Sequence, residues 1–230
     1  MKLGIMQPYF FPYIGYFQLV KAVDKFIFYD DVHYIKNGWI NRNRILLNGR
    51  SHYITVHQKG ASPNKMINEV EIIDNRDKLG KTIISAYGKA PYFSKVWPLV
   101  DDILKFETSK ISKLAEYSIV QICKYLGIDT TFEVSSKKYS LTANLKLEKR
   151  IIAICNINKA SDYINPIGGV GLYNKKTFLQ EGINLYFLKT DPIIYKQFNN
   201  PFVENLSIID VIMFNTNKRL RKILDCYKLL

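Results

Sequence analysis

About thirty residues at the start of the chain restrict its fold more than any other stretch. Lys2 to Met6 is a short apolar strand, and MQPYFFPYIGYFQL follows, with two prolines, a glycine and six aromatic rings in fourteen residues. Proline lacks an N–H and fixes φ, so the backbone there must be irregular despite its apolar content. From Gly15 to Val23 the spacing of Tyr16, Leu19, Val20 and Val23 predicts a helix, and KFIFY, Lys25 to Tyr29, is a second buried strand. Strand, loop, helix and strand at this spacing make a βαβ unit, which requires a parallel pair and a right-handed crossover. The expectation is an α/β fold with a mainly parallel sheet, Rossmann-like or nucleotidyltransferase-like.

Further strands are expected at Tyr53 to Val56, Val70 to Ile73, Thr131 to Ser135, Asp162 to Asn165 and Ile183 to Leu188. Helical patterns run from Ala90 to Phe106, from an N-cap at Ser109 to Leu126 with Gly127 as its stop, over Leu145 to Asn156, and over Tyr173 to Gln180. Ile208 to Asn215 precedes a basic amphipathic helix with Leu220, Ile223, Leu224 and Tyr227 inward. No repeat or linker interrupts the 230 residues, so we expect one α/β domain (1–230) with a helical insertion or lobe at about 76–126.

Apolar residues make up 47% and charged residues 23% of the chain, and no apolar run reaches membrane-spanning length, so no membrane insertion is expected. The opening residues do not follow a signal peptide's layout, and Cys123, Cys155 and Cys226 suggest neither a disulfide framework nor a zinc site. A cytoplasmic location is expected. The net charge of +13 admits a polyanion such as tRNA as partner, although scattered lysines equally describe solvated faces.

Ligands of open α/β sheets gather at the carboxyl ends of parallel strands. Three segments fall there. In the aromatic loop, Phe10 and Phe11 are expected to plug the sheet, whereas Gln7, Tyr9, Tyr13 and Tyr16 combine rings with polar ends and suit a pocket stacking a base or sugar. Gly15 would let a ligand approach the helix entrance. The second segment, YDDVHYIKNGWINRNRI, offers Asp30, Asp31, His33, Lys36, Trp39, Asn41, Arg42 and Arg44. The carboxylates could hold a metal, act as a base, bind an amine, cap a helix or pair with Arg42 or Arg44, and His33 is a candidate general base. The same segment also reads as an exposed hairpin turning at Asn37-Gly38. The third, NPIGGVGLY, brings Asn165, Gly168 and Gly169 to a strand–helix junction without matching the dinucleotide or P-loop fingerprints. No G-x-S-x-G, H-E-x-x-H or Cys-x-x-Cys motif is present.

MQPYFFPYIGYFQL, DDVHYIKNGWINRNRI, YINPIGGVGLY and LSIIDVIMFN resemble, in that order, the segments of the WbqC-like family of bacterial proteins. The resemblance spans nearly the whole chain. It implies a part in O-antigen or other surface-polysaccharide biosynthesis, as a transferase acylating the amino group of a nucleotide-linked amino sugar with an amino acid such as glycine. His33 stands where the family pattern has glutamine, so a histidine base does not follow from the resemblance. A looser likeness joins PYIGY to the H-x-G-H motif of nucleotidyltransferase-like folds, with Tyr13 and Tyr16 in place of both histidines.

For a transferase, Tyr9, Tyr13, Trp39, Arg42 and Arg44 would hold the sugar nucleotide, Asp30 or Asp31 would take the amine proton, and amides near Gly168 and Gly169 would stabilise the oxyanion. The acyl donor stays open between aminoacyl-tRNA, ATP plus an amino acid, and acyl-CoA. The alternative is a non-catalytic accessory protein that binds nucleotide sugars or nucleic acid.

Overall fold

The computed structural model describes residues 1–199 and 201–230. Strand β1 (Lys2–Met6), helix α1 (Ile14–Lys21) and strand β2 (Lys25–Phe28) form the expected parallel unit, with Met6 opposite Phe28. An insertion follows. It contains a hairpin, β3 (Arg42–Leu47) and β4 (Arg50–Thr55), a second antiparallel pair, β5 (His57–Lys59) and β6 (Glu71–Ile73), and helices α2 (Arg76–Tyr87) and α3 (Phe93–Lys105). Helix α4 (Ile111–Leu126) then returns the chain to the sheet as β7 (Thr131–Val134), parallel to β2. A short helix α5 (Ser135–Lys138) and the longer α6 (Leu147–Ile157) lead to β8 (Asp162–Pro166), which joins the far side of β1. After α7 (Lys175–Gln180), strand β9 (Asn184–Thr190) extends the sheet; α8 (Ile208–Phe214) and α9 (Asn217–Leu224) precede β10 (Tyr227–Leu229), antiparallel to β9.

The sheet order is therefore β10-β9-β8-β1-β2-β7, a mainly parallel α/β arrangement. Side chains alternate across it with the period of a strand. Leu3, Ile5 and Ile27 pack with residues of α6 and α7 on one face, while Phe26 and Phe28 join α1, α4 and α9 on the other. The chain leaves β1 toward β2 and β7 and later returns on the other side through β8. The junction of β1 and β8 is thus the topological switch point, where such sheets open a crevice.

Several expectations are corrected. The hairpin turns at Asn48-Gly49, whose φ values of 51° and 74° match the mirror-image turn that follows strand twist, and not at Asn37-Gly38. The stretch expected to be a helical insertion does hold α2 to α4, but two strand pairs precede it. Lys110 rather than Ser109 caps α4, and Tyr227 lies in β10 rather than on α9.

The aromatic loop is irregular, yet its polar backbone is satisfied, as burial demands. Phe10 N–H donates to the Trp39 carbonyl (3.2 Å), Asn43 Nδ2 to the Phe10 carbonyl (3.3 Å), Ser207 Oγ to the Phe11 carbonyl (2.8 Å) and Ile208 N–H to the Pro12 carbonyl (2.9 Å). Phe10 and Phe11 are wholly buried, so they plug the sheet as expected. Behind them lies a node around Asp210. Its carboxylate accepts from the hydroxyls of Tyr87 (2.8 Å) and Tyr195 (2.7 Å) and from Gln197 Nε2 (2.6 Å). Ser207 caps α8 through the Ile209 N–H, so the polar residues of LSIIDVIMFN join the aromatic loop, the inserted lobe and the C-terminal segment.

Candidate functional site

The first part of the site is a cavity of about 180 Å³ between the aromatic loop and the start of β3, lined by Tyr9, Pro12, Tyr13, Trp39, Asn43, Arg44 and Asn205. Trp39 stacks with Tyr53 at 6.3 Å between ring centroids, and the Arg44 guanidinium lies 5.5 Å over the Trp39 ring. Arg44 Nη2 donates to the Asn205 carbonyl (3.0 Å), while its Nε is buried with no partner among the described residues. An unsatisfied buried donor is disfavoured by about 1–3 kcal/mol. Burial, reinforced by Tyr13, pushes the Tyr9 hydroxyl up to about 12, and burial likewise raises Tyr13. Both phenols are neutral donors across the physiological range.

The cavity is smaller than the roughly 300–1,000 Å³ of a site enclosing a drug-sized ligand. Its volume is that of a single ring rather than of a whole nucleotide.

The second part stands at the carboxyl ends of β2 and β7. Asp30 is 1% exposed: its Oδ1 accepts from Ser136 N–H (3.0 Å) and Ser135 Oγ (3.1 Å), and its Oδ2 from Ser136 Oγ (2.8 Å). Asp31 accepts from Ser135 through Oδ1 and pairs through Oδ2 with Arg150, whose side chain is 4% exposed. Arg150 also donates to the Asp31 carbonyl (3.2 Å) and to Thr142 Oγ1 (3.3 Å), and its guanidinium lies 4.8 Å over Tyr29. Ser135 has one hydroxyl proton and so satisfies one carboxylate at a time. The partners of the two aspartates are thus Ser135, Ser136 and Arg150, not Arg42 or Arg44. Of the pair, only Asp31 keeps an open lone pair on each oxygen together with a partly exposed side chain, 14%.

The third part is the turn after β8. Asn165 is buried, and a Cβ on Gly169 would lie 2.3 Å from its Nδ2 and 3.4 Å from the Tyr173 ring. Glycine is required there by close approach of side chain to backbone. Gly168 faces open space.

The remaining candidates divide clearly. Tyr16 is 2% exposed and donates to the Gln7 carbonyl (2.9 Å), so it belongs to the core and not to a pocket wall. Gln7 is half-buried, with its Oε1 toward Tyr9 (3.5 Å). Asn41 accepts from Tyr34 (3.0 Å) and donates to the Val56 carbonyl (2.9 Å), and Arg42 donates to the carbonyls of Asn37 and Gly38 under a cation–π contact with Tyr53 of 4.6 Å. Both hold the insertion together. His33 and Lys36 are exposed; His33 forms an isolated bridge to Met66. The space over Gly15 is filled by the Tyr13 ring, 2.5 Å from where a Cβ would stand, so no ligand approaches there.

Sequence reasoning missed Ser135, Ser136, Arg150 and Asn205, whereas Asn43 belonged to the polar segment it had singled out. Arg150 had a signal: it sits one helical turn before the buried Ile154, where an arginine is buried only if paired, although Leu147, expected on the same inner face, is exposed. The two serines directly follow a strand's carboxyl end. Glu116, buried on α4 beside Lys113 (2.8 Å), was also missed; burial raises its carboxyl and Lys113 opposes that rise.

Comparison with known proteins agrees with the motif order. A protein of Mycobacterium tuberculosis (strain ATCC 25618 / H37Rv), "Uncharacterized protein Rv1507c", is 32% identical over 222 residues, covering 93% of each chain. No solved structure matches the chain. The WbqC-like protein family matches residues 7–222, from the glutamine that opens the aromatic loop to the last turn of α9, and the chain therefore belongs to that family.

Proposed function

We propose that the protein is a transferase of surface-polysaccharide biosynthesis that acylates the amino group of a nucleotide-linked amino sugar. The observation that carries this reading is the aromatic cavity with its single cation: Tyr9, Tyr13 and Trp39 supply ring faces, and Arg44 brings a positive charge to the wall. One ring of the substrate enters it, and the diphosphate runs toward the carboxyl edge.

In this reading the amine attacks an activated carboxyl carbon. An N–C bond forms, the acyl–oxygen or acyl–sulfur bond of the donor breaks, and the amine proton passes to Asp31, oriented by Arg150 and Ser135. Asp30 positions Ser135 and Ser136. Amides around Gly168 and Gly169, beside the Asn165 side chain, are the proposed oxyanion donors. The donor is an aminoacyl-tRNA, an aminoacyl adenylate made from ATP, or an acyl-CoA.

The test is direct. Purified protein is mixed with a UDP- or dTDP-linked amino sugar and each donor in turn, and the sugar nucleotide is weighed by mass spectrometry. One donor should add the mass of its acyl group. Measurable binding with no mass gain from any donor would instead favour the accessory-protein reading.

A further inference from the structure

Six aliphatic side chains stand in water beside the site: Leu141, Leu145 and Leu147 before and at the start of α6, and Ile167, Val170 and Leu172 in the turn after β8. Leu141 is 94% exposed, Leu147 81% and Leu172 67%. The two loops are neighbours, because the Asn174 N–H donates to Glu148 Oε2 at 2.6 Å, bridging the entrance of α7 to that of α6. Isolated exposed leucines need no explanation, but six exposed aliphatic side chains in two adjoining loops do. Leu147 sharpens the point. Its φ of 49° lies in the left-handed region that glycine or asparagine adopts more easily, yet a leucine is held there facing outward.

The charge around this rim is of one sign. Lys137, Lys138, Lys146, Lys149, Lys175 and Lys176 are exposed and form no ion pair among the described residues, and Glu148 is the only acidic residue in the two loops. We propose that this rim docks on an anionic lipid surface, with the aliphatic side chains entering the headgroup layer and the lysines meeting its phosphates. Its chemistry argues against the other occupants. A second copy of the chain would bring like charges face to face. Lysines would meet nucleic-acid phosphates as readily as lipid ones, but the exposed side chains between them are aliphatic rather than the aromatic faces on which bases stack. No helix of the described residues is long and apolar enough to cross a membrane, so the contact is peripheral. The inference does not depend on the proposed transferase reaction.

The experiment is co-sedimentation of the full chain with phosphatidylcholine vesicles and with vesicles containing one-third phosphatidylglycerol. The protein should pellet with the anionic vesicles alone. Each lysine removed should weaken partitioning roughly fivefold, so Lys146→Gln/Lys149→Gln should lose about 25-fold. Leu141→Asn/Leu147→Asn, which leaves the net charge unchanged, should lose at least about tenfold while melting like the parent chain, since both leucines lie outside the core. Failure to pellet with anionic vesicles overturns the proposal, as does undiminished pelleting of the leucine variant, which would assign the attraction to the overall charge of +13. A dimer in sedimentation equilibrium that the leucine variant abolishes would make a second copy the occupant. RNA binding lost in that same variant would assign the rim to nucleic acid.

Discussion

Asp31 and Asp210 are both carboxylates withdrawn from water, and the groups that hold them differ in kind. Asp210, fully buried, is surrounded by neutral donors, two tyrosine hydroxyls and a glutamine amide, drawn from α2 and from the segment before α8. Asp31, at the sheet's carboxyl edge, faces the buried cation Arg150 and keeps part of its carboxylate open. Neutral donors leave a buried carboxylate poorly compensated, and desolvation raises its pKa accordingly. That arrangement suits a tie between segments 123 residues apart in sequence. A guanidinium instead fixes one orientation of the carboxylate, which is what the proposed base requires.

The contrast breaks most sharply at Asp210. Asp210→Ala strands the Tyr87 and Tyr195 hydroxyls and the Gln197 amide without acceptors, and should lower stability by about 3–5 kcal/mol. For a chain of this length that is a fall in Tm of roughly 10 °C, readable in a thermal melt or urea titration. A loss below about 1 kcal/mol would mean that the node is not a structural tie. The Asp210→Asn variant isolates the proton. Because the folded pKa of Asp210 lies above its unfolded value, its contribution to stability is full below about pH 4 and is lost as pH rises through the folded value. The melting advantage of wild type over Asp210→Asn should therefore be larger at pH 4 than at pH 7. An advantage that grows with pH would reverse the assignment.

At the other carboxylate, Arg150→Met removes the cation and leaves Asp31 without a charged partner. The expected loss is about 2–3 kcal/mol, less than at Asp210, because Asp31 can turn toward water. Asp31→Asn keeps the shape. It leaves the buried Arg150 without its anion and should itself lose about 2–3 kcal/mol, yet stay folded at assay temperature and lose roughly 10²-fold or more in acyl transfer, provided that the mass assay identifies a donor. Full turnover in Asp31→Asn would remove the proposed base and leave both aspartates as scaffolding.

The distribution of these groups explains what could be read from the chain. Leu3, Ile5 and Phe26 to Phe28 announce buried strands by composition alone, so the βαβ unit and the parallel sheet are legible. Strand β3 and its turn were missed although β4 was expected in part, because RNRILL carries two arginines in its first three residues and Asn37-Gly38 offered a competing turn. In the site, Tyr9, Tyr13, Trp39 and Arg44 are marked by residue type and do line one cavity. Asn205 lies 161 residues from Arg44 in a segment without periodicity, and only folding brings its carbonyl to the guanidinium. Tyr16 misled for a related reason: a phenol that donates to a carbonyl deep in the core looks, in sequence, like one facing a ligand.

The mildest perturbation distinguishes the adjacent glycines of the carboxyl edge, where Asp31 stands but Asp210 does not. Gly169→Ala drives a methyl to within 2.3 Å of Asn165 Nδ2, so the buried amide must shift, which should cost about 1–2 kcal/mol. Gly168→Ala meets nothing within 4 Å and should stay within about 0.5 kcal/mol of wild type. If the amides of this turn hold the oxyanion, Gly169→Ala should lower kcat more than it raises KM, whereas Gly168→Ala leaves both near their wild-type values. Equal effects of the two substitutions on kcat would show that the turn acts through its flexibility, and the close approach of Asn165 to Gly169 would then be a packing feature with no part in acyl transfer.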